Sequence, residues 1–281
     1  MPKIALVTDS TAYLPPEFVE QYNIHVLPLN LHWGEETLLD GVNITPDEFY
    51  KRLAQSPTLP TTSQVSIHAF SELFNELATD HEAILCIVLS SGISGTLDSA
   101  ESALQEFDRV PVKLIDTRTT ACGEALAVMT AARALEDGLG LEETGKLVED
   151  ICQKMSTTFV VDTLEYLHKG GRIGGASRYL GTALNIKPIL ALNSEGKIEA
   201  LERVRTKKKA LDRLITLAEE QVGDGSASVG VMHASSPKEA QDFLDQIQLR
   251  LNCSRTMIVE LSPVIGTHVG PGTIGLSVYA D

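Results

Sequence analysis

The chain has 281 residues, 43% of them hydrophobic and 22% charged, a composition typical of a globular protein long enough for two hydrophobic cores. Its formal net charge of -15 argues against nucleic-acid binding, which needs a basic surface to neutralise phosphates. No apolar stretch approaches the roughly 18 residues of a membrane span, so none is expected. The opening segment MPKIALVTDS enters a strand pattern directly, without signal-peptide features, and we therefore expect a cytoplasmic protein.

In residues 1–155, short apolar runs alternate with amphipathic helical patterns. The predicted strands are KIALV, IHVLPLNL, AILCIVL and VPVKLID. The predicted helices are PPEFVEQY, TPDEFYKRLAQ, SIHAFSELFNELATD, GTLDSAESALQEF, EALAVMTAARALEDG and LEETGKLVEDICQKM. Strands that are buried on both faces and separated by helices form parallel sheets, so we expect an N-terminal three-layer α/β domain.

Residues 156–281 follow a different order. The strand TTFVVDT and the short helix LEYLHKGG precede IKPILALNSEGKIEALERVR, in which two apolar runs joined at NSEG predict a β-hairpin. The remaining predicted elements are the helices TKKKALDRLITLAEEQV and PKEAQDFLDQIQLRL and the strands ASVGVMHA, TMIVELS and TIGLSVYA. The sequence therefore predicts a two-domain α/β protein whose second domain, from residue 156, is mixed α+β.

The stretch LSSGISGT, residues 89–96, lies where the strand AILCIVL ends and the next helix begins. Such a turn falls at the carboxyl edge of a parallel sheet, where open α/β folds bind ligands. Its glycines allow close approach of the backbone, and the free amides at the helix start favour an anion. These features predict an anion site. The alternative is that Ser94 only caps the helix, which is common.

Two further stretches are rich in hydroxyl groups. TDST, residues 8–11, follows the first strand, and PTTSQVS, residues 60–66, precedes a helix that Ser66 would cap, leaving residues 61–63 in a loop. Three such stretches are more than capping requires. Neutral hydroxyls and amides suit a carboxylate better than a triphosphate, which usually recruits lysine and Mg²⁺.

The common catalytic motifs are missing from the sequence. It contains no G-x-x-x-x-G-K-[ST] phosphate loop and no H-E-x-x-H metal motif, and its seven histidines lack metal-ligand spacing. The serine-hydrolase pattern G-x-S-x-G is also absent, because the second glycine of GISGT comes one position early. Neither a nucleotide site nor a hydrolase nucleophile is predicted.

Seven motifs together resemble one family. VTDSTAYLP, PTTSQ, LSSGISGT, LHKGGRI, NIKPIL, VRTKKKA and THVGPGTIG occur in the order and approximate spacing of the DegV family, the bacterial fatty-acid-binding proteins. The resemblance runs nearly end to end. One departure is Val65, where many relatives have proline after TTSQ, and it bears only on local rigidity.

The resemblance implies that one long-chain fatty acid, and no other cofactor, is held between the two domains. The carboxylate would lie at the mouth and the acyl chain in a buried apolar tunnel. Carried onto this sequence, Thr62 and Ser94 would hold the carboxylate, and His268 would lie near the same head group. The residues implied to support them are Ser63, Ser91 and Gly92.

The resemblance also implies a partner. In relatives of known role, a separate ATP-dependent fatty-acid kinase phosphorylates the bound carboxylate and gives an acyl phosphate for phospholipid synthesis. The chain would then be a carrier that presents a substrate, and not an enzyme. A different class remains open, an enzyme that acts alone on a small anionic metabolite. A phosphotransferase is the example, because dihydroxyacetone kinase subunits have a related architecture, and the missing nucleotide motif counts against it.

A basic segment begins the helix TKKKALDRLITLAEEQV. Thr206 is a predicted N-cap, which places three lysines in the first turn, where the helix dipole disfavours cations. These lysines, with Arg205, Arg172 and Arg203, would dock an acidic partner or neutralise a transferring phosphoryl group. The resemblance points the same way for Arg172 and Arg205. The alternative is a solvated helix end.

Overall fold

The computed structural model describes residues 3–181 and 186–281, so Asn185 of the NIKPIL motif lies outside the described residues. The strands are β1 Ile4–Asp9, β2 His25–Leu27, β3 Asn30–Trp33, β4 Glu36–Leu39, β5 Thr61–Ser63, β6 Ala83–Val88, β7 Val112–Asp116, β8 Ser156–Val160, β9 Lys187–Leu192, β10 Ile198–Val204, β11 Ser226–His233, β12 Asn252–Glu260 and β13 Ile274–Ala280. The α-helices are α1 Pro16–Gln21, α2 Pro46–Leu53, α3 Ile67–Leu77, α4 Thr96–Leu104, α5 Cys122–Glu136, α6 Leu141–Lys154, α7 Glu165–Lys169, α8 Lys207–Val222, α9 Pro237–Arg250 and α10 Pro263–Val269. Within the described ranges, none of the helices combines the length and apolar character that crossing a membrane would need.

A four-stranded parallel sheet forms the first half of the molecule, in the order β2-β1-β6-β7. All six residues of β6 are buried, because helices cover both faces of the sheet. Helices α3 and α4 pack on one face around Phe70 and Phe74. Helices α1, α5 and α6 pack on the other, around Leu85 and Ile87. This is the three-layer arrangement that the sequence predicts.

A six-stranded mixed sheet forms the second half, in the order β10-β9-β8-β13-β11-β12. Its β11–β12 pair is parallel and its other pairs are antiparallel. The predicted hairpin is present as β9 and β10, joined at residues 193–196. Helices α8 and α9 cover one face of this sheet. The other face turns towards the first half of the chain and packs with α2 and α10.

Helix α5 lies between the two sheets. Ala127 and Val128 belong to the core of the parallel sheet. On its other side, Leu126 packs with Tyr279 of β13, and the thiol of Cys122 donates a hydrogen bond to the carbonyl of Gly230 on β11, 3.2 Å away. One helix is therefore shared by both cores, and the boundary at residue 155 stays a prediction about the chain's organisation.

The sequence prediction is wrong for IHVLPLNL, which is not one strand. It divides into β2 of the parallel sheet and β3 of a separate antiparallel sheet, β4-β3-β5. Pro28 has no N–H to donate, and the amide of Leu29 donates to the hydroxyl of Ser10, 3.1 Å away. The expected loop at residues 61–63 is also wrong, because these residues form β5 and pair with β3.

The two threonine hydroxyls of the TDST stretch serve a buried pair of carboxyl groups. Asp9 accepts hydrogen bonds from the amides of Thr11 and Leu89, at 2.9 and 2.8 Å. The Thr11 hydroxyl lies 2.7 Å from Asp9 and 2.8 Å from Glu124, and Thr8 donates to Glu124. Burial raises the pKa of both carboxyls, and that of Glu124 most. The Thr11 hydroxyl has one hydrogen for two carboxyls, and Glu124, whose pKa burial and Asp9 raise, is the carboxyl that keeps its proton to higher pH.

The variant Glu124→Gln should become more stable than the wild type as the pH rises. A carboxyl with a raised folded-state pKa contributes stability below its unfolded-state pKa and loses it as the pH passes the folded-state value. Glutamine offers an N–H donor in place of the carboxyl O–H, and it cannot ionise. Urea denaturation at pH 6 and pH 9 should show wild-type stability falling relative to the variant, while Glu17→Gln on the exposed face of α1 changes nothing. If the free energy of unfolding fell equally in the wild type and in Glu124→Gln, the raised pKa of Glu124 would be contradicted.

Candidate functional site

A cavity of about 180 Å³ lies between the parallel sheet and the mixed sheet. Both halves of the chain contribute to its wall. Its apolar residues include Leu89, Phe159, Leu192, Ile198, Met232 and Ile265. Its polar residues are Thr62, Ser63, Gln64, Ser94, Thr120, Thr157, Arg172, His268 and Thr273. An apolar cavity with a few convergent polar groups is the usual form of a small-molecule site.

Thr62 and His268 meet at the polar end of this cavity. The Thr62 hydroxyl lies 2.7 Å from Nε2 of His268. Thr62 is placed by β5, where it stands opposite Leu31 of β3. His268 occupies the last turn of α10, and Ser262 caps that helix by accepting from the Ile265 amide. Strand and helix thus bring together two residues that are 206 positions apart.

The surroundings of His268 decide its protonation state. Nδ1 is buried and makes no hydrogen bond within the described residues. Burial, followed by the nearby charge of Arg172, lowers the pKa of His268 to about 4, so the ring is neutral at pH 7. A buried N–H without an acceptor is costly, so the hydrogen belongs on Nε2, which donates it to Thr62. The hydroxyl hydrogen of Thr62 is then free for a ligand.

Ser94 reaches the cavity from the turn between β6 and α4. Its hydroxyl accepts from the Thr96 amide at 3.3 Å and lies 2.9 Å from the Thr96 hydroxyl. Ser94 is not the N-cap of α4, which is Gly95, and an oxygen that accepts from Thr96 still has a hydrogen to donate into the cavity. Gly95 leaves room for the side chain of Gln64, which a β-carbon would meet at 2.6 Å. This close contact joins the turn to the end of β5.

Ser63 and Arg172 complete the polar wall. The Ser63 hydroxyl lies 2.9 Å from Nε2 of His32 on β3. Arg172 follows α7 and donates to the carbonyls of Gly170 and Ile93, at 2.9 and 3.3 Å. These bonds hold the guanidinium at the cavity, so the polar end carries a positive charge as well as neutral donors.

Three other candidate residues lie outside the cavity lining. The Ser91 hydroxyl donates to Asp116, 2.5 Å away. A β-carbon on Gly92 would stand 2.5 Å from the backbone of residues 195 and 196, so this glycine allows the β9–β10 hairpin to pack against the turn. Arg205 is exposed at the end of β10. Residues 8–11 also contribute nothing to this cavity, because their hydroxyls bond to the buried acids Asp9, Asp40 and Glu124.

The basic segment before α8 divides into two parts. Thr206 is the N-cap, as predicted, and accepts from the Lys209 amide. Lys207 is half-buried and donates to Glu239 and to the carbonyl of Gly272, which fixes α8 to its neighbours. The exposed side chains of Arg205 and Lys209 have no partner in the described part of the chain.

Asp40 is a site-supporting residue that sequence reasoning missed. It is 1% exposed and accepts from the Ser10 hydroxyl at 2.8 Å, and it lies against Ser262 and Val264 at the start of α10. Burial raises its pKa to about 7 against the opposing effect of these donors. Asp40 thus lies beside the start of the helix that carries His268. The start of α10 had a local signal, since serine followed by proline is typical of a helix N-terminus.

The imidazole of His268 should stay neutral to about pH 4 and carry its hydrogen on Nε2. Nitrogen NMR of labelled protein, assigned with His268→Gln, should show unchanged shifts between pH 8 and pH 5. Titration near pH 6.5, or a hydrogen on Nδ1, would contradict the burial and hydrogen-bond argument given above.

The fold and the cavity define a class, a pair of α/β units that enclose an apolar pocket with a hydroxyl, an imidazole and a guanidinium at its polar end. Among the residues that the structure describes, no group of three or more His, Cys, Asp or Glu could hold a metal ion. The family model described as uncharacterised protein, DegV family, matches residues 3–281.

Several known DegV proteins are similar to this chain over nearly its whole length. A DegV domain-containing protein of Halalkalibacterium halodurans is 38% identical over 100% of both chains. A solved structure titled as fatty-acid binding of a DegV family protein from Thermus thermophilus has a TM-score of 0.94 and 33% identity, covering 99% of this chain and 100% of that one. DegV of Bacillus subtilis, titled a fatty acid binding protein, has a TM-score of 0.92 and 32% identity over 100% of both. The chain belongs to the DegV family.

Proposed function

We propose that this chain binds one long-chain fatty acid and presents its carboxylate to a separate ATP-dependent fatty-acid kinase, which forms an acyl phosphate for phospholipid synthesis. The observation that carries the proposal is the cavity itself, which is lined mostly by apolar side chains and has the Thr62–His268 pair among its polar groups. The solved relatives from Thermus thermophilus and Bacillus subtilis are described as fatty-acid-binding proteins, which supports the same ligand class.

The head group is proposed to lie among Thr62, Ser94 and His268. A neutral His268 donates to Thr62, and the hydroxyls of Thr62 and Ser94 then donate to the carboxylate, with Arg172 balancing its charge. Hydrogen bonds to a charged group contribute more than neutral ones. The residues proposed to support this arrangement by holding the strand and the turn in place are Ser63, Ser91 and Gly92.

The acyl chain supplies most of the proposed affinity. Each buried methylene contributes about 0.8 kcal/mol, so a long chain binds tightly without a fixed lysine clamp on its carboxylate. A small anionic metabolite would leave the apolar wall of Phe159, Ile198 and Met232 without a partner. The composition of the wall therefore favours a carrier of acyl chains over an enzyme acting alone on such a metabolite.

The kinase is proposed to recognise the exposed basic residues between β10 and α8. Arg203, Arg205, Lys208 and Lys209 are exposed in a chain whose net charge is -15, and their side chains form no ion pair among the described residues. A local positive patch of this kind steers an acidic partner surface. The sequence has no phosphate loop of its own, which fits a division of labour with an enzyme that binds ATP.

Fatty-acid binding should depend on Thr62 and not on its neighbour. Native mass spectrometry of the purified protein should show a mass excess of one fatty acid. In calorimetric titrations with a delipidated sample, Thr62→Val should weaken binding about tenfold or more, because a hydrogen bond to the carboxylate is lost. Thr61→Val is the matched control, since Thr61 is exposed on the same strand. Protein that carries no lipid and takes up none would refute the proposal.

Acyl-phosphate formation should require the second protein and the basic patch. The chain with ATP alone should form none, and addition of a fatty-acid kinase should produce it. Arg205→Ala with Lys209→Ala should slow this reaction several-fold at unchanged fatty-acid affinity. Lys238→Ala, which removes an exposed lysine at the start of α9, should leave the rate as it is. Equal rates for all variants would exclude the patch, and ATP turnover by the chain alone would exclude the carrier role.

A further inference from the structure

One hydroxyl group in the cavity wall has no hydrogen-bond partner. Thr120 is 8% exposed and lines the cavity, and its Oγ1 is buried without a partner in the described part of the chain. A buried polar atom left unpaired costs free energy, and native structures contain few of them. A ligand group is the partner that this position lacks.

The other threonines deep in the same wall show the normal situation. The Thr157 hydroxyl lies 2.8 Å from the hydroxyls of both Thr119 and Ser277. The Thr273 hydroxyl donates to the carbonyls of Val269 and Gly270, at 3.0 Å each. Three described threonines line the cavity away from the head group, namely Thr120, Thr157 and Thr273. Of these three, Thr120 is the one whose hydroxyl is unpaired.

The start of α5 lies beside this hydroxyl. Helix α5 has 15 residues and begins at Cys122, and no side chain caps its first turn. The Gly123 amide donates to the Thr120 carbonyl at 3.2 Å, and none of the described lining residues belongs to α5, so the helix holds Thr120 in place while the Thr120 side chain faces the cavity. Cys122 contacts Gly230 on β11, the strand that also carries the lining residue Met232, so this polar point borders the apolar wall.

We propose that the Thr120 hydroxyl forms a second polar subsite, which binds an oxygen atom carried on the acyl chain, such as the hydroxyl of a hydroxy fatty acid. This inference rests on the proposed function and names the class of fatty acid that the site prefers. A water molecule fits less well, since a buried water normally needs two to four polar partners and this position offers one. An oxygen attached to the acyl chain is held by the chain itself and needs only this one partner.

The test compares stearic acid with hydroxystearic acids that carry the hydroxyl at different carbons, in calorimetric titrations of delipidated protein. The wild type should bind one positional isomer more tightly than stearic acid, by roughly fivefold, the ratio that one net hydrogen bond contributes. Thr120→Val, of nearly the same shape, should remove this preference and bind stearic acid at least as well. Thr120→Ser should retain the preference.

Thr144→Val is the matched control. Thr144 on α6 also has a buried hydroxyl without a partner, and it lies outside the cavity lining. Removing it should leave the ratio between the two ligands unchanged, and thermal unfolding should show both valine variants folded. This control separates a ligand contact from a general effect of deleting an unpaired hydroxyl.

Three results would overturn the subsite. In the first, no isomer binds better than stearic acid. In the second, the preference for one isomer survives in Thr120→Val. In the third, Thr120→Val weakens the binding of stearic acid and of every isomer equally, which would make Thr120 a donor to the carboxylate. A wild type that binds neither stearic acid nor any isomer would overturn fatty-acid binding itself and the subsite with it, a result distinct from the other three.

Discussion

The hydrogen bond between Thr62 and His268 depends on several elements that are distant from one another along the chain. Thr62 is in place because β5 pairs with β3, and His268 is in place because Asp40 and Ser262 hold the start of α10. Gly170 leaves the space that the imidazole fills, since a β-carbon there would stand 2.2 Å from Nδ1 of His268. One short contact therefore requires the small antiparallel sheet, the parallel sheet and the last helix to have their exact relative positions.

Charge is distributed unevenly around the cavity. The chain carries a net charge of -15, yet no carboxylate lines the cavity among the described residues. The buried acids Asp9, Asp40 and Glu124 lie behind the wall, and their raised pKa values reduce the negative charge that reaches it. An anion in the cavity thus meets hydroxyls, an imidazole and one guanidinium, without an opposing acid.

Sequence periodicity was a good guide to the large elements and a poor guide to contacts between distant segments. The buried run of β6 and the hairpin at NSEG have strong local signals, and both were predicted. Strand β5 was missed because three residues give no periodicity. The pairing of Asp9 with Glu124, which lies 113 positions from the Thr11 that both acids contact, has no local signal at all. The resemblance supplied His268, which its surroundings in the sequence would have left as an ordinary turn residue.

The shared position of α5 also constrains how the molecule unfolds. Because Cys122 and Leu126 face the mixed sheet while Ala127 and Val128 face the parallel one, neither sheet can lose the helix without exposing apolar surface of its own. A polypeptide cut after residue 155 would therefore keep a helix with one uncovered side, and the mixed sheet left behind would lose the cover that Cys122 and Leu126 provide.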